Sequence, residues 1–488
     1  MTSAGPAVWI SFVGYLIVTF GLAWAARRKA SAGPFFEEFF VGGRQLGPWV
    51  LGLTWIATSA SGGSFIGTPS LAHANGWSVM LWISGYIVVA TVGFGLLGKR
   101  IADVGRRTGA LTLPDLLRDR FASPAIGALS ALAIVVLHVS YMVAQYIAGA
   151  RVMEVLLGVP YEWGIVGFAL TVGIYTSYGG FRAVAWTDAF QAIVMLFGVL
   201  IALGFALDKV GGFGPVWEGL AAQSADLLTP EGPEAFLPWQ TALSFFVIWP
   251  FANAGQPALI ARFLACRDRR SLKRAAFLIG LYILLLYPAV IMIGIIGRVL
   301  VPELEAADHA MPATILACTP PVLAGLVLAA PMAAIMSTLS SFLLVSSSAV
   351  VRDLYQRNRS APLNENSARA LTQLSTFAIA AIGLLFALDP PQFLQYIVVF
   401  SGTGLAATFL CPTLLAVYWP RMNKVGCLAG MLGGFCSFGL QYAAFGTQSF
   451  GGFDPFVWSL GVSGIGAAAG SLMSSKDPAA LLEPYFGS

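Results

Sequence analysis

Charge is what this sequence has least of. Its 488 residues carry only 27 Lys or Arg and 23 Asp or Glu, 10% of the chain, where a soluble protein of this length carries roughly 120. With 57% of residues apolar and a mean hydropathy of +0.78, a water-soluble fold could not hide its apolar surface, which excludes soluble enzymes. Histidine is scarce: His73, His138 and His309 stand far apart, so a histidine metal cluster is not expected. The five cysteines, Cys266, Cys318, Cys411, Cys427 and Cys436, are scattered, odd in number and without a CxxC pair. They read as small apolar residues, with no disulfide frame and no metal site. No triad or carboxylate pair is visible, so no enzyme is expected. Met1 to Ala7 lack the basic region of a cleavable signal peptide, and the first apolar run is expected to be a retained span.

Apolar runs, glycine and proline are abundant instead. Windows of about 19 residues place thirteen spans, near 7–26, 47–72, 78–98, 127–157, 160–177, 186–206, 238–260, 274–297, 322–350, 369–388, 393–418, 425–446 and 457–474. The expected class is an all-α integral membrane protein. Fifty-four glycines and 27 prolines are too many for straight helices and fit interrupted ones. Of the 27 Lys and Arg, 24 fall in alternate connections, among them Lys29, Arg44, Arg106, Arg182, Arg262, Arg269, Arg352, Arg421 and Lys476. The opposite side holds Arg151, Lys209 and Arg298, and its loops are acidic. By the positive-inside rule the N-terminus is expected outside and the C-terminus in the cytoplasm.

Two spans are broken. In the stretch from Thr54 to Pro69, nine of sixteen residues are Gly, Ser or Thr, and the stretch ends in proline. The other reads Trp249-Pro-Phe-Ala-Asn-Ala-Gly-Gln-Pro257. Freed backbone groups at membrane depth are tolerable only where they face a cavity or an ion. The second is the fifth span after the first, so they enter from opposite sides, which points to an inverted-repeat transporter. Spans 2–6 (47–206) and 7–11 (238–418) are then the repeats. Residues 1–46 form an extra span and loop, 207–237 an outer loop, and 419–488 two further spans and a short tail. A competing reading leaves these Gly and Pro residues as kinks in packed helices.

Span 9 carries Ala334-Ile-Met-Ser-Thr338. Sodium is a hard cation that takes oxygen ligands, neutral ones included. The hydroxyls of Ser337 and Thr338, a carbonyl such as that of Ala334, and carbonyls freed in span 2 would make a five-oxygen cage. Hydrogen bonding of such hydroxyls to their own helix is the alternative. Asp188, at the entry of span 6, reads equally as a functional buried acid or as a helix N-terminal charge. His138, Tyr141 and Gln145 share one face of span 4 and either line a cavity or bond to neighbouring helices. Gly93-Phe-Gly-Leu-Leu-Gly98-Lys99 imitates a phosphate loop, but Arg100 stands where Ser or Thr belongs and no strand precedes it. Asn358-Arg-Ser360 is a sequon on the expected cytoplasmic side.

These motifs resemble the sodium:solute symporter family, and within it bacterial pantothenate carriers, over about Val41 to Gly434. The resemblance is carried by Val41-Gly-Gly-Arg44, Phe65-Ile-Gly67, Gly149-Ala-Arg151, Gly158-Val-Pro-Tyr-Glu162 and Tyr178-Gly-Gly-Phe-Arg182. Gly255-Gln-Pro257 with Arg262, Leu328-Ala-Ala-Pro-Met-Ala-Ala-Ile-Met-Ser-Thr338, and Arg352-Asp-Leu-Tyr355 complete it. It implies a LeuT-type fold and sodium-coupled uptake by alternating access, with no organic cofactor. It places sodium on the carbonyls of Ala57, Ala60 and Ala334 and the hydroxyls of Ser337 and Thr338, with Asp188 near the exit path. The solute is expected beside Ser61, Gly62, Gly63, Ser64 and Phe65, with Tyr141, Gln145, Trp249, Asn253, Tyr396 and Ser401 as further candidates. Proline-type members carry an acid where this chain has Ser59, and His where it has Ala258, which argues against proline; the pantothenate-type pattern is not fully kept either, with Gly62 and Gly63 where bulkier small residues are expected. The resemblance implies pantothenate or a similar carboxylate, with proline or another amino acid, a monocarboxylate or a sugar as alternatives. No Lys or Arg is expected at mid-membrane. A carboxylate would be held by amides at half-helix N-termini, and Gly62 and Gly63 would let it approach the backbone. The partners expected are sodium, a small solute and the lipid of a bacterial inner membrane, with no nucleic acid, the chain acting as a monomer. The other reading is a transporter-like sensor, against which stand the roughly fourteen residues left after the last span.

Overall fold

A computed structural model describes residues 6–28, 34–361, 363–447 and 449–487; Met1, Lys29 and Ser488 lie outside them. The described residues are helical throughout, without a β-strand. Thirteen helices carry the architecture. They are α1 Pro6–Arg28, α2 Pro48–Ser59, α3 Thr68–Asn75, α4 Pro124–Leu157, α5 Tyr161–Val210, α6 Trp239–Ala254, α7 Pro257–Leu264, α8 Arg269–Leu300, α9 Pro321–Ser348, α10 Glu365–Phe386, α11 Gln395–Tyr418, α12 Lys424–Phe445 and α13 Pro455–Leu472. Between α3 and α4, Ser78–Thr108 forms one apolar run of short α, 3₁₀ and π segments.

Local chemistry sets the ends. Ser123 accepts from the Ile126 amide and Pro124 follows it, which starts α4; Gly158, in the left-handed region at φ 64°, ends it. The 50 residues of α5 would reach about 75 Å if straight, far beyond one bilayer core of about 30 Å. Gly180, at φ 63° and ψ −179°, divides them, and a β-carbon there would press on the Phe39 ring. The expected spans at 160–177 and 186–206 lie on either side of it.

Among the described residues, ten helices are long and apolar enough to cross a membrane, and the α6–α7 pair, bent by 45°, makes eleven. The other two expected spans fall on the interrupted α2–α3 run and on the shorter apolar stretch Tyr161–Ile174. The breaks that mark these segments also keep them from meeting a length criterion, so thirteen is not reached on that ground.

Burial separates core from lipid face. The segment beginning with α9 has 83% of its apolar window inside the protein, against 28% for α1 and 22% for α12. α9 is therefore the central post, packed on α5, α4 and α2. The alternate basic loops meet on one face. Arg44 donates to the Leu264 and Ala110 carbonyls, Arg106 to Cys266, Arg118 to Arg357, and Arg120 to Met422 and Asp477. The last helix, Ala479–Phe486, docks on the same face, its Tyr485 hydroxyl donating to the Leu116 carbonyl. On the opposite face Glu154 pairs with Arg151 and His309.

Candidate functional site

The interruption between α2 and α3 is real. Ala60 leaves the helix at φ −81° and ψ 100°, and Gly63–Gly67 resume as a π-helical turn before α3. The break faces α9. Ser337 Oγ donates to the carbonyl oxygens of Ala57 at 2.8 Å and Ala334 at 3.1 Å. Thr338 Oγ1 lies 3.4 Å from the Ala57 oxygen and 3.2 Å from that of Thr58. Four of the five oxygens expected for the cage are thus joined in one chain of contacts, Ala334 to Ser337 to Ala57 to Thr338, and all four residues are fully buried. Ala60 stands at the break, one turn beyond Ala57. Such a set of neutral oxygens fits a hard monovalent cation: the hydroxyls now bonded to these carbonyls would turn their lone pairs to the ion.

One helical turn on, toward the basic face, is a buried charge cluster. Arg262 Nη2 donates to Asp188 Oδ2 at 3.1 Å, to Ser341 Oγ at 2.5 Å and to Thr54 Oγ1 at 3.4 Å. Thr54 also donates to Asp188 Oδ2 at 2.7 Å. Asp188 and Arg262 side chains are 0% and 1% exposed, and the guanidinium lies over the Phe181 ring. Thr58, whose hydroxyl is 3.0 Å from Ser341 and whose carbonyl meets Thr338, joins this cluster to the cage. The placement of Arg262 corrects the sequence reading, which counted it as a loop cation. The signal was a lone arginine in the apolar run Pro257-Ala-Leu-Ile-Ala-Arg-Phe-Leu264. Asp188 neutralises a charge from the second broken helix, which sequence position could not show.

On the other side of the break lies a cavity of about 20 Å³, room for about one water. It is lined by Tyr141, Trp249 and Asn253 as expected, and also by Tyr86, Gln256 and Thr403. Asn253 Oδ1 accepts from Ser59 at 2.7 Å. Tyr86 lies 3.3 Å from Ser59, and its ring centroid is 4.3 Å from that of Tyr287, which reaches Ser64 at 3.0 Å. Ser61 meets Tyr141 at 3.2 Å. Trp249 donates to the Trp82 carbonyl. Tyr86 and Tyr287, unlike Tyr141, are not legible in the sequence, because one Tyr in an apolar span has no periodic signature.

The glycines serve another purpose than expected. A β-carbon at Gly62 would stand 2.7 Å from Ala148 Cβ, and one at Gly63 2.8 Å from Gln395 Oε1. Protein side chains, not open space, press on this backbone. The Gly62 amide donates to Gln145 Oε1 at 2.8 Å and the Gly63 amide to Ser61 Oγ at 3.1 Å, so the amides a carboxylate would use are already bonded. Phe65 is fully buried. Tyr396 does not join the site. It is 46% exposed and rests on Phe393, because adjacent helix positions differ by about 100° and Gln395 takes the inner one. Ser401 is buried but donates to Ser140 of α4 and to Ile397. His138 meets Ser346 and stacks on Phe342, the interhelical alternative.

The profile of the sodium:solute symporter family matches residues 39–434. The chain is 34% identical over 476 residues to the sodium/pantothenate symporter of Escherichia coli (strain K12), covering 97% of this chain and 98% of that protein. It is 36% identical over 430 residues to the sodium/pantothenate symporter of Haemophilus influenzae, covering 87% and 88%. The Escherichia coli sodium/proline symporter is 29% identical over 86% of this chain and 84% of its own. Among solved structures, a Na⁺-coupled sialic acid symporter in a substrate-bound outward-open state superposes with a TM-score of 0.80 at 20% identity, over 97% of this chain and 99% of that one. At that identity the likeness speaks for the fold.

Proposed function

This chain belongs to the sodium:solute symporter family, and from that premise we propose that its solute is pantothenate or a closely similar hydroxylated carboxylate. It is a sodium-coupled symporter of the LeuT-type fold, not an enzyme. The observation that carries the sodium assignment is the convergence of Ala57, Ala334, Ser337 and Thr338 oxygens at the break between α2 and α3; the Ala60 carbonyl, at the break itself, would be the fifth ligand. Sodium there draws the broken helix toward α9 and fixes the neighbouring backbone of Ser61 to Phe65. That backbone is one wall of the solute cavity, so ion and solute favour the same arrangement, which is the coupling.

The pantothenate reading rests on the two relatives at 34% and 36% identity and on the chemistry of the cavity. Its polar groups are neutral: Tyr86, Tyr141, Asn253 and Gln256. They suit hydroxyls and an amide. The carboxylate would displace Gln145 and Ser61 from the amides of Gly62 and Gly63. A cavity of 20 Å³ admits no such molecule until its walls part, as alternating access of 47–206 against 238–418 requires. The Asp188–Arg262 pair holds the basic face shut beneath the ion. On the positive-inside rule that face is cytoplasmic and the N-terminus lies outside, in a bacterial inner membrane; thirteen crossings and a monomer complete the reading. One sodium with one anion is electroneutral, so uptake would then draw on the sodium gradient rather than on the potential, which is worth about 2.3 kcal/mol per net charge per 100 mV.

The test is uptake of radiolabelled pantothenate into proteoliposomes with and without an inward sodium gradient. Sodium-dependent uptake that falls in Ser337→Ala is expected. Sodium-driven uptake of proline, lactate, pyruvate or a sugar, with none of pantothenate, would overturn the solute.

A further inference from the structure

A second cavity, of about 610 Å³, opens on the basic face between the Ser78–Thr108 run and α8. Four cations stand around it: Lys99, Arg269, Arg270 and Lys273. Arg269 is bound to Asp103; Lys99, Arg270 and Lys273 make no ion pair among the described residues. Three like charges held close together without neutralisation, Lys99, Arg270 and Lys273, are costly unless an anion joins them. The inner wall is apolar: Ala90, Phe94, Leu272 and Ala276. Gly95 forms its notch: among the described residues, nothing outside its own helix turn comes within 4 Å of where a β-carbon would stand.

The apolar wall continues beyond the cavity along the outside of α8. Phe277, Leu281 and Leu284 are 78%, 49% and 53% exposed, at the i, i+4 and i+7 spacing of one helix face, and Ile87 of the neighbouring run is 59% exposed. Cations at the membrane edge with an apolar track leading inward match the two ends of an anionic phospholipid. A soluble phosphate compound would use the cations and leave the track unused. The Gly93–Lys99 run, which imitates a phosphate loop in spacing, lies here in π-helical form over Phe94–Gly98. Its contribution is the gap at Gly95 and the ammonium of Lys99, not a cradle of free amides.

We infer that this cavity is a binding site for one anionic phospholipid, its phosphate among Lys99, Arg270 and Lys273 and an acyl chain passing Gly95 onto the Phe277 face. The protein in detergent, titrated with phosphatidylglycerol or phosphatidylcholine and read by native mass spectrometry, tests it. Phosphatidylglycerol is expected to be retained over phosphatidylcholine. The triple variant Lys99→Gln, Arg270→Gln, Lys273→Gln should lose about fivefold in retention per cation, roughly 100-fold together. Gly95→Leu should weaken retention with every charge in place. Arg359→Gln, Lys424→Gln, Lys476→Gln, which removes equal charge elsewhere on the same face, should not. Equal loss in both triple variants, or no effect of Gly95→Leu, would reduce the site to general surface charge and overturn the inference. Glycerol phosphate binding as tightly as the lipid would overturn it in favour of a soluble ligand. An unchanged melting temperature checks that each variant is folded.

Discussion

Separating Asp188 from Arg262 tests whether the two broken helices are tied through a buried charge. In Arg262→Gln the carboxylate stays buried at 0% exposure, with Thr54 and Ser341 as its remaining donors at 2.7 and 3.4 Å. In Asp188→Asn the guanidinium stays buried among hydroxyls and the Ala258 carbonyl. Leaving one buried charge without its partner costs about 3–5 kcal/mol. The double variant strands no charge, and Asn and Gln can still hydrogen-bond, so it should recover most of that loss, with a coupling of at least about 2 kcal/mol. The pair is imperfectly satisfied, since Asp188 Oδ1 and Arg262 Nε have no partner among the described residues; this keeps its net worth small and its removal as a unit tolerable. The assay is thermal unfolding of the purified protein in detergent, at low and high salt. The expected order of melting temperatures is wild type, then the double variant close behind, then both single variants well below. Salt should matter little, because buried pairs are poorly screened. Single variants that each cost under about 0.5 kcal/mol and add up in the double would refute a buried, coupled pair.

Ser337→Ala removes one oxygen of the cage, and losing a bond to a charged group costs about 1.5–3 kcal/mol. The sodium concentration for half-maximal uptake should rise about 10- to 100-fold while solute KM at saturating sodium stays near wild type; an unchanged sodium titration would exclude Ser337 as a ligand. Asn253→Ala should do the reverse, raising solute KM about tenfold with little change in sodium dependence, as read by uptake kinetics. Gly62→Ala would place its new carbon 2.7 Å from Ala148 Cβ, and overpacking of that kind costs about 1–3 kcal/mol; a melting temperature equal to wild type would count against it. Asp308, buried in the connection between α8 and α9 where its carboxylate accepts from the Leu394 amide, has its pKa pushed by burial from 3.8 up to about 6. A carboxyl raised in the fold stabilises it while protonated, and that contribution is lost as pH rises through about 6. Asp308→Asn should therefore match wild type near pH 4 and exceed it above pH 6, by up to about 3 kcal/mol, in melting curves taken across that range.

Composition and order along the chain were enough for much of this. Apolar runs separated by charged loops can satisfy their backbone only as helices in lipid, so the class followed from hydropathy. The Gly-Ser-Thr stretch from Thr54 to Pro69 and the paired prolines around Asn253 announced the breaks, because local propensity decides where a helix fails. Ser337 and Thr338 stood out as hydroxyls beside an Ala carbonyl on one turn. Tertiary structure alone decided what meets across the fold. That Arg262 points inward at Asp188, 74 residues away, that Gln395 rather than Tyr396 presses on Gly63, and that Gln145 and Ser61 hold the amides of the break depend on helix rotation and packing. These are long-range terms, and a one-dimensional pattern carries no record of them.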